Sequence, residues 1–167
     1  PYPAFVIPGN HDVPFGAATE TAIAPDEFPL YYPHAGYAKP DQLYYHAEPI
    51  AGLHLLALNS NHFDAHGQQV GAIDPQQLQW LETKLNQLQN ELVWVMVHHN
   101  VLEHLPHQSR HRMGRRYMLD NAATLRSLLQ RANVRLVFTG HLHVQDIAEA
   151  QGLYDITTGS LVSYPHP

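Results

Sequence analysis

A mixed α/β sandwich is the fold this 167-residue sequence predicts, on three observations. Short apolar runs of strand length alternate with amphipathic helical stretches and hairpin signals. The composition, 44% hydrophobic and 14% charged, suits a chain with a proper core and argues against disorder. No linker-like, repeated or low-complexity stretch divides it, so residues 1–167 are expected to form a single domain.

The elements follow in chain order. Ala4–Ile7, stopped by Pro8-Gly9, reads as a buried strand. Residues 14–42 are rich in prolines and turn formers, an irregular loop with room for one short helix. Leu43–His46 and Leu53–Leu58 form a hairpin around Glu48–Gly52. Asp74-Pro75 opens a helix, an N-cap followed by proline at the first helical position. Leu78, Leu81, Leu85, Leu88 and Leu92 give that helix its apolar stripe, and Asn90 is its stop. Leu92–Val97 is apolar on both faces, as a central strand is. Asp120 starts a second helix with Leu125, Leu128, Leu129 and Ala132 inward and Asn133 left-handed at its end. Val134–Phe138 is a further buried strand, and Val144–Ala148 with Leu153–Thr157 a hairpin around Gln151-Gly152.

Composition excludes several functions. Without cysteine there is no disulfide, thiolate metal site or cysteine nucleophile. The longest apolar run, Leu92–Val97, is far short of the roughly 20 residues of a membrane helix. A formal charge of −6 makes nucleic acid an unfavoured partner. The charge is uneven, however. Before residue 110 eleven acidic residues face Lys39 and Lys84, a net of −9; from Arg110 onward seven arginines face four acids, a net of +3. Histidine stands out, with 14 residues against 15 acidic and 9 basic ones. It is the commonest metal ligand and the usual proton shuttle near neutral pH.

Three histidine motifs each follow a predicted buried strand: Gly9-Asn10-His11-Asp12, His98-His99-Asn100 and Gly140-His141-Leu142-His143. Loops beyond the carboxyl ends of parallel strands are where α/β proteins bind ligands. If these strands are parallel neighbours, the three loops converge. Imidazoles with a carboxamide oxygen make a donor set for manganese, iron, zinc or nickel, not calcium. His141 and His143 would point to one side of an extended segment, and Gly9 and Gly140 would let the backbone turn tightly.

In these motifs the chain resembles the calcineurin-like metallophosphoesterase superfamily. Leu58-Asn59-Ser60, the Gln77–Leu81 helix start and Thr158-Gly159-Ser160 are similar to its connecting features. The resemblance implies a four-layer α/β/β/α sandwich (α/β, or α+β in some schemes) and a dinuclear centre of divalent or trivalent manganese, iron or zinc. Carried over, Asn10, His98 and His141 hold one ion and His143 the other. His11 contacts the phosphate and protonates the leaving alkoxide or stabilises the transition state, and Asp12 orients its imidazole. Two ions clamp a phosphoryl group and acidify a water between them.

The family's first two motifs, Asp-x-His and Gly-Asp, come before the Gly-Asn-His motif, which here begins at residue 9. Asp64-Ala65-His66 is read as a chance match on a polar loop. The domain is therefore expected to be incomplete, its N-terminal strands missing and its carboxyl terminus also truncated. Alone it is expected to bind at most one ion, weakly, and to hydrolyse little.

For the full-length protein the expected function is phosphodiester hydrolysis, with similarity to the bacterial phosphodiesterase branch. Cyclic nucleotides or glycerophosphodiesters are the small substrates this implies. The alternatives are phosphomonoesterase or nuclease activity, or a scaffold that kept the fold. His99 is expected to be structural or to support the ligands. The loop with His104, His107, His111, Arg110, Arg112, Arg115 and Arg116 is either a cap that attracts anions or a solvated loop. His34, His46, His54, His62, His66 and His166 have no partner motif, and Tyr31, Tyr32, Tyr44 and Tyr45 read as packing residues. Localisation and oligomeric state are not readable.

Overall fold

The computed structural model describes residues 3–13, 23–64, 66 and 69–160. Residues 14–22 of the expected irregular loop, Ala65 and His166 lie outside them. The order of elements is α1 (Phe28–Tyr31), β1 (Tyr45–Ile50), β2 (Leu53–Ala57), β3 (Asn61–Phe63), β4 (Gln69–Gly71), α2 (Pro75–Gln87), β5 (Leu92–Met96), α3 (Arg112–Arg115), α4 (Ala122–Arg131), β6 (Leu136–Thr139), β7 (Asp146–Ala150) and β8 (Leu153–Thr157). A six-stranded sheet runs β1-β2-β5-β6-β8-β7, and β3 pairs β4 in a small ribbon. Strands β2, β5, β6 and β8 are parallel, while β1 and β7 close the edges antiparallel. This is the mixed α/β fold that alternating strands and helices predict.

The parallel pairs require crossovers: α2 supplies that from β2 to β5 and α4 that from β5 to β6, while β6 connects to β8 through the edge strand β7. Asp74 caps α2 through Oδ1, which accepts the Gln77 N–H at 2.9 Å. Leu81 and Leu85 of α2 and Leu125 and Leu129 of α4 then share one core with Leu56, Val93, Val95 and Val137 of the sheet. The opposite face of β5 and β6 carries half-buried Trp94 and Phe138, packed edge to face at 5.6 Å. Asn133 is left-handed at φ 57°, and the β7–β8 turn has positive φ at both Gln151 and Gly152, the twist a two-residue hairpin prefers.

Four expectations are corrected. Ala4–Ile7 is not a strand: among the described residues no ladder forms on it, and its Val6 carbonyl goes to side chains. The hydroxyls of Tyr37 and Tyr45 both donate to Val6 O, at 2.9 and 3.1 Å, so Tyr45 is a core anchor. Burial pushes the pKa of both phenols up, which keeps them protonated as donors. Leu92 leaves the α2 stripe, because the helix ends at Gln87 and Leu92 opens β5 56% exposed. The second helix begins after Asn121, and Ala132 is exposed beyond its last turn. His141 and His143 lie at φ 64° and 59°, not in extended backbone, so the same-side argument loses its basis.

Candidate functional site

Strands β5 and β6 are parallel neighbours, Val95 opposite Val137, so the loops that leave their carboxyl ends start side by side. Gly140 N donates to His98 O at 3.0 Å and ties the two loops together. The third loop, residues 9–12, is brought in by the ribbon. Asn61 Nδ2 of β3 donates to Pro8 O and Gln69 Nε2 of β4 to Asn10 O, both at 2.9 Å.

Asn10, His98 and His141 consequently meet. His98 Nε2 lies 2.9 Å from Asn10 Oδ1 and 3.1 Å from His141 Nδ1. On the other side of its ring, His141 Nε2 donates to the Arg116 carbonyl at 3.2 Å, which leaves Nδ1 with its lone pair toward His98. His99 stands behind them, 2% exposed, its Nδ1 2.8 Å from Ser60 Oγ and its ring 4.5 Å from that of His141. This position is compatible with both roles expected of it, structural or in support of the ligands. Tyr117 covers a further part of the His141 ring at 5.0 Å.

Burial sets the electrostatics. It pushes His98 down to about 3 and His141 to about 4, with the neighbouring His11 and His143 charges adding to the shift in each. His99 falls to about 2, again mainly by burial. All three imidazoles are neutral at pH 7 and offer lone pairs instead of charge.

The remaining candidates are close but placed differently. His11 is exposed and His143 half-buried, both within electrostatic reach of His98 and His141. Asp12 closes the turn, its Oδ2 accepting the Gly9 N–H at 2.8 Å while its own N–H donates to Gly9 O at 3.1 Å. A Cβ at Gly9 would stand 3.1 Å from both Asp12 Oδ2 and His98 Cε1, so a side chain there would press on both; at Gly140 the nearest atom is 3.8 Å away.

The donor set suits a transition-metal ion. Donors bound at about 2.0–2.1 Å to one ion stand about 3.0–3.4 Å apart, close to the spacing found here. Among the described residues no three His, Asp or Glu side chains surround a common cation position. The convergent set is two imidazoles and a carboxamide.

Sequence reasoning missed the polar layer under this site. Asn100, fully buried, donates through Nδ2 to Thr139 Oγ1 at 2.9 Å and to Thr157 Oγ1 at 3.2 Å. Thr139 Oγ1 in turn donates to the buried Asp155 at 2.6 Å. A lone Asp inside a strand gives no sequence signal, although its interruption of an apolar run is a hint. His46 and His54, left without a partner, face one another across β1 and β2 at 2.9 Å.

Comparison with known proteins bears on the fold and the family. No curated protein matches the chain. Among solved structures, a dimetal phosphatase from Danio rerio is similar with a TM-score of 0.54 and 16% identity, covering 71% of this chain and 50% of that one. GAP50, described as the anchor in the inner membrane complex of Plasmodium, is similar with a TM-score of 0.51 and 18% identity, covering 71% of this chain and 38% of that one. The chain thus spans half or less of these relatives, and at such identities the likeness is one of fold. The family model for calcineurin-like phosphoesterases matches residues 1–145, carrying all three histidine motifs, and the chain belongs to that family.

Proposed function

We propose that this chain carries part of the active site of a metal-dependent phosphoester hydrolase, acting on small phosphodiesters as the bacterial phosphodiesterase branch does. The convergence of Asn10 Oδ1 with His98 Nε2 and His141 Nδ1, the two imidazoles held neutral beyond the ends of parallel β5 and β6, carries this reading. These three residues hold one ion and His143 contributes to a second; manganese, iron and zinc all suit the donors. When bound, such ions supply Lewis-acid polarisation of a phosphoryl oxygen and an acidic water.

The chain's own residues do the rest. The Arg116 carbonyl fixes the His141 tautomer, so Nδ1 stays available. Exposed His11 reaches the substrate and donates a proton to the leaving oxygen, a contribution of about 10²–10⁴ in rate. Asp12 positions His11 by closing the turn that bears it.

The Plasmodium neighbour, an anchor, makes a non-catalytic role the rival reading. An exposed His11 beside three neutral, convergent donors favours hydrolysis. Phosphomonoesters and single-stranded DNA would be compared with cyclic nucleotides and glycerophosphodiesters as substrates. Elemental analysis after dialysis against manganese or zinc should find one ion per 167-residue chain, and none in His98→Ala. Two retained ions would overturn the stoichiometry; undiminished binding by His98→Ala would overturn the ligand assignment. In the full-length protein, His11→Ala should lower kcat at least 100-fold while the metal content stays the same.

A further inference from the structure

Between His99 and the Gly114 turn the chain builds a cap, and the cap is anchored. Gln108, 1% exposed, accepts the His104 N–H at 2.7 Å through Oε1 and donates to Asn100 Oδ1 at 3.3 Å through Nε2. Gly114 packs so tightly that a Cβ there would stand 2.6 Å from the Gln108 carbonyl oxygen. Asn100 N donates to Tyr117 O and Leu119 N to Asn100 O, at 2.8 and 3.0 Å, which returns the cap to the exit of β5. A merely solvated loop would have none of these contacts.

The cap forms one wall of a cavity of about 960 Å³, in which Asn10 and His141 sit beside Arg110, Arg112, Arg115 and Arg116. That volume is at the upper end of small-molecule sites, far more than one phosphoryl group occupies. The wall is cationic in a particular way. Arg115 is paired with Asp120 at 3.1 Å, and Arg110 lies near Glu103, whose pKa is lowered by hydrogen bonds from Ser109 and, to a lesser degree, by the charges of His107 and Arg110. Arg112 and Arg116 have no acidic partner among the described residues. Arg116 is also the residue whose carbonyl holds His141, so its guanidinium is leashed within one side chain of the candidate metal ligands. Two unpaired guanidiniums offer forked donors that match the oxygens of a phosphate.

We propose that Arg112 and Arg116 form an anion subsite next to the metal-ligand cluster, and that the favoured substrate is a phosphoester carrying a second phosphate away from the reacting phosphorus. This rests on the hydrolase reading above for its substrate class, but not for its binding chemistry. The reacting phosphoryl group lies at Asn10, His98 and His141. The second phosphate lies against the cap, where it compensates the two free charges.

Two measurements separate the subsite from the hydrolase reading. In the first, inorganic phosphate is titrated into the metal-free chain by NMR, following the backbone amide signals of residues 110–118. Saturable binding is expected, weakened at least tenfold in Arg112→Ala/Arg116→Ala and largely kept in Arg112→Lys/Arg116→Lys. Equal affinity in the alanine variant overturns the subsite whatever the enzyme does. In the second, the metal-loaded full-length protein is given two chromogenic diesters that differ by one group: thymidine 5′-(p-nitrophenyl phosphate), with and without a 3′-phosphate. The 3′-phosphorylated probe should have a KM at least tenfold lower, and the ratio should collapse toward one in the alanine variant. Arg131→Ala, which loses only the exposed pair with Glu82, should keep the ratio. Turnover of both probes with equal KM overturns the subsite and leaves the hydrolase reading standing. No turnover of either, with phosphate binding intact, overturns the hydrolase reading and leaves the subsite.

Discussion

His104 and Asp155 confront each other inside the protein, with His104 Nε2 3.4 Å from Asp155 Oδ1 and His104 Nδ1 2.9 Å from Asp146 Oδ2. The imidazole, its side chain 1% exposed, is therefore set between two carboxylates, one fully buried and one at the surface. Asp155 is otherwise well satisfied. Its Oδ2 accepts the N–H groups of Val101 and Leu102 at 2.7 and 2.9 Å, and its Oδ1 the Thr139 hydroxyl at 2.6 Å. One carboxylate thus pins the segment after His98 to the strand that precedes His141.

Asp155→Asn should be costly. An amide nitrogen turned toward Val101 and Leu102 meets donors with a donor, and turned the other way it faces Thr139 and His104. Breaking a buried charge network in this manner costs about 3–5 kcal/mol. Urea denaturation should show a loss of that order, and a loss under about 1 kcal/mol would mean that the network does not hold the strands.

Stability should fall on both sides of an optimum pH, for opposite reasons. Burial alone would lower the His104 pKa, but its contacts with Asp155 and Asp146 and their charges outweigh it, and the net shift is upward. Its contribution is complete below about 6.5, the ordinary histidine value, and fades as pH rises through the raised folded value. His98, His99 and His141 are shifted down, so their contribution is complete above about 6.5 and is lost as pH falls. Each contributes a slope of about 1.4 kcal/mol per pH unit where the unfolded chain alone is protonated. Denaturation midpoints from pH 4 to 9 should show the acid decline in wild type and in His104→Gln, with the alkaline decline reduced in the variant alone.

Gln77 is a buried bracket between α2 and the end of β2. It is 0% exposed; Oε1 accepts the Asn59 N–H and Nε2 donates to Asn59 O, both at 2.8 Å. Gln77→Leu keeps the volume and strands both backbone groups, at about 1–3 kcal/mol each. A loss of about 2–6 kcal/mol is expected, and hydrogen exchange at the Asn59 amide should accelerate. Unchanged exchange there would contradict the bracket.

Gly71→Ala tests the packing behind the candidate ligands. A Cβ at this position would stand 2.6 Å from His99 Cδ2 and 2.9 Å from Met118 O, so something must shift to admit it. Overpacking of about 1–3 kcal/mol is expected. Because His99 lies against His141, the zinc affinity of the variant should also drop, read by competition with a chromogenic chelator. Wild-type affinity in a destabilised Gly71→Ala would show that His99 supports the fold but not the ligands.

Several expectations were legible because their causes are local. The Asp74-Pro75 start of α2 needs only a carboxylate and a proline in consecutive positions, and the Gln151-Gly152 turn only two residues tolerant of positive φ. Ala4–Ile7 misled for the complementary reason. Its apolar pattern is that of a strand, but a strand exists only through a ladder, and here two tyrosine hydroxyls take the place of one at Val6. His141 and His143 likewise adopt left-handed backbone that an extended reading of their two-residue spacing does not contain.

The sequence by itself determined the α/β class, the three histidine motifs and, through them, the family. Tertiary structure decided which atoms meet. His98 and Asn10 are 88 residues apart and Val101 and Asp155 are 54 apart, yet both pairs are in hydrogen-bond contact. Strand order and register bring Val101 to Asp155, and side-chain hydrogen bonds from the β3–β4 ribbon carry the Asn10 loop to His98; no local pattern encodes either. The same holds for the Arg116 carbonyl that fixes the His141 tautomer, since a backbone oxygen has no identity in the sequence until the fold aims it.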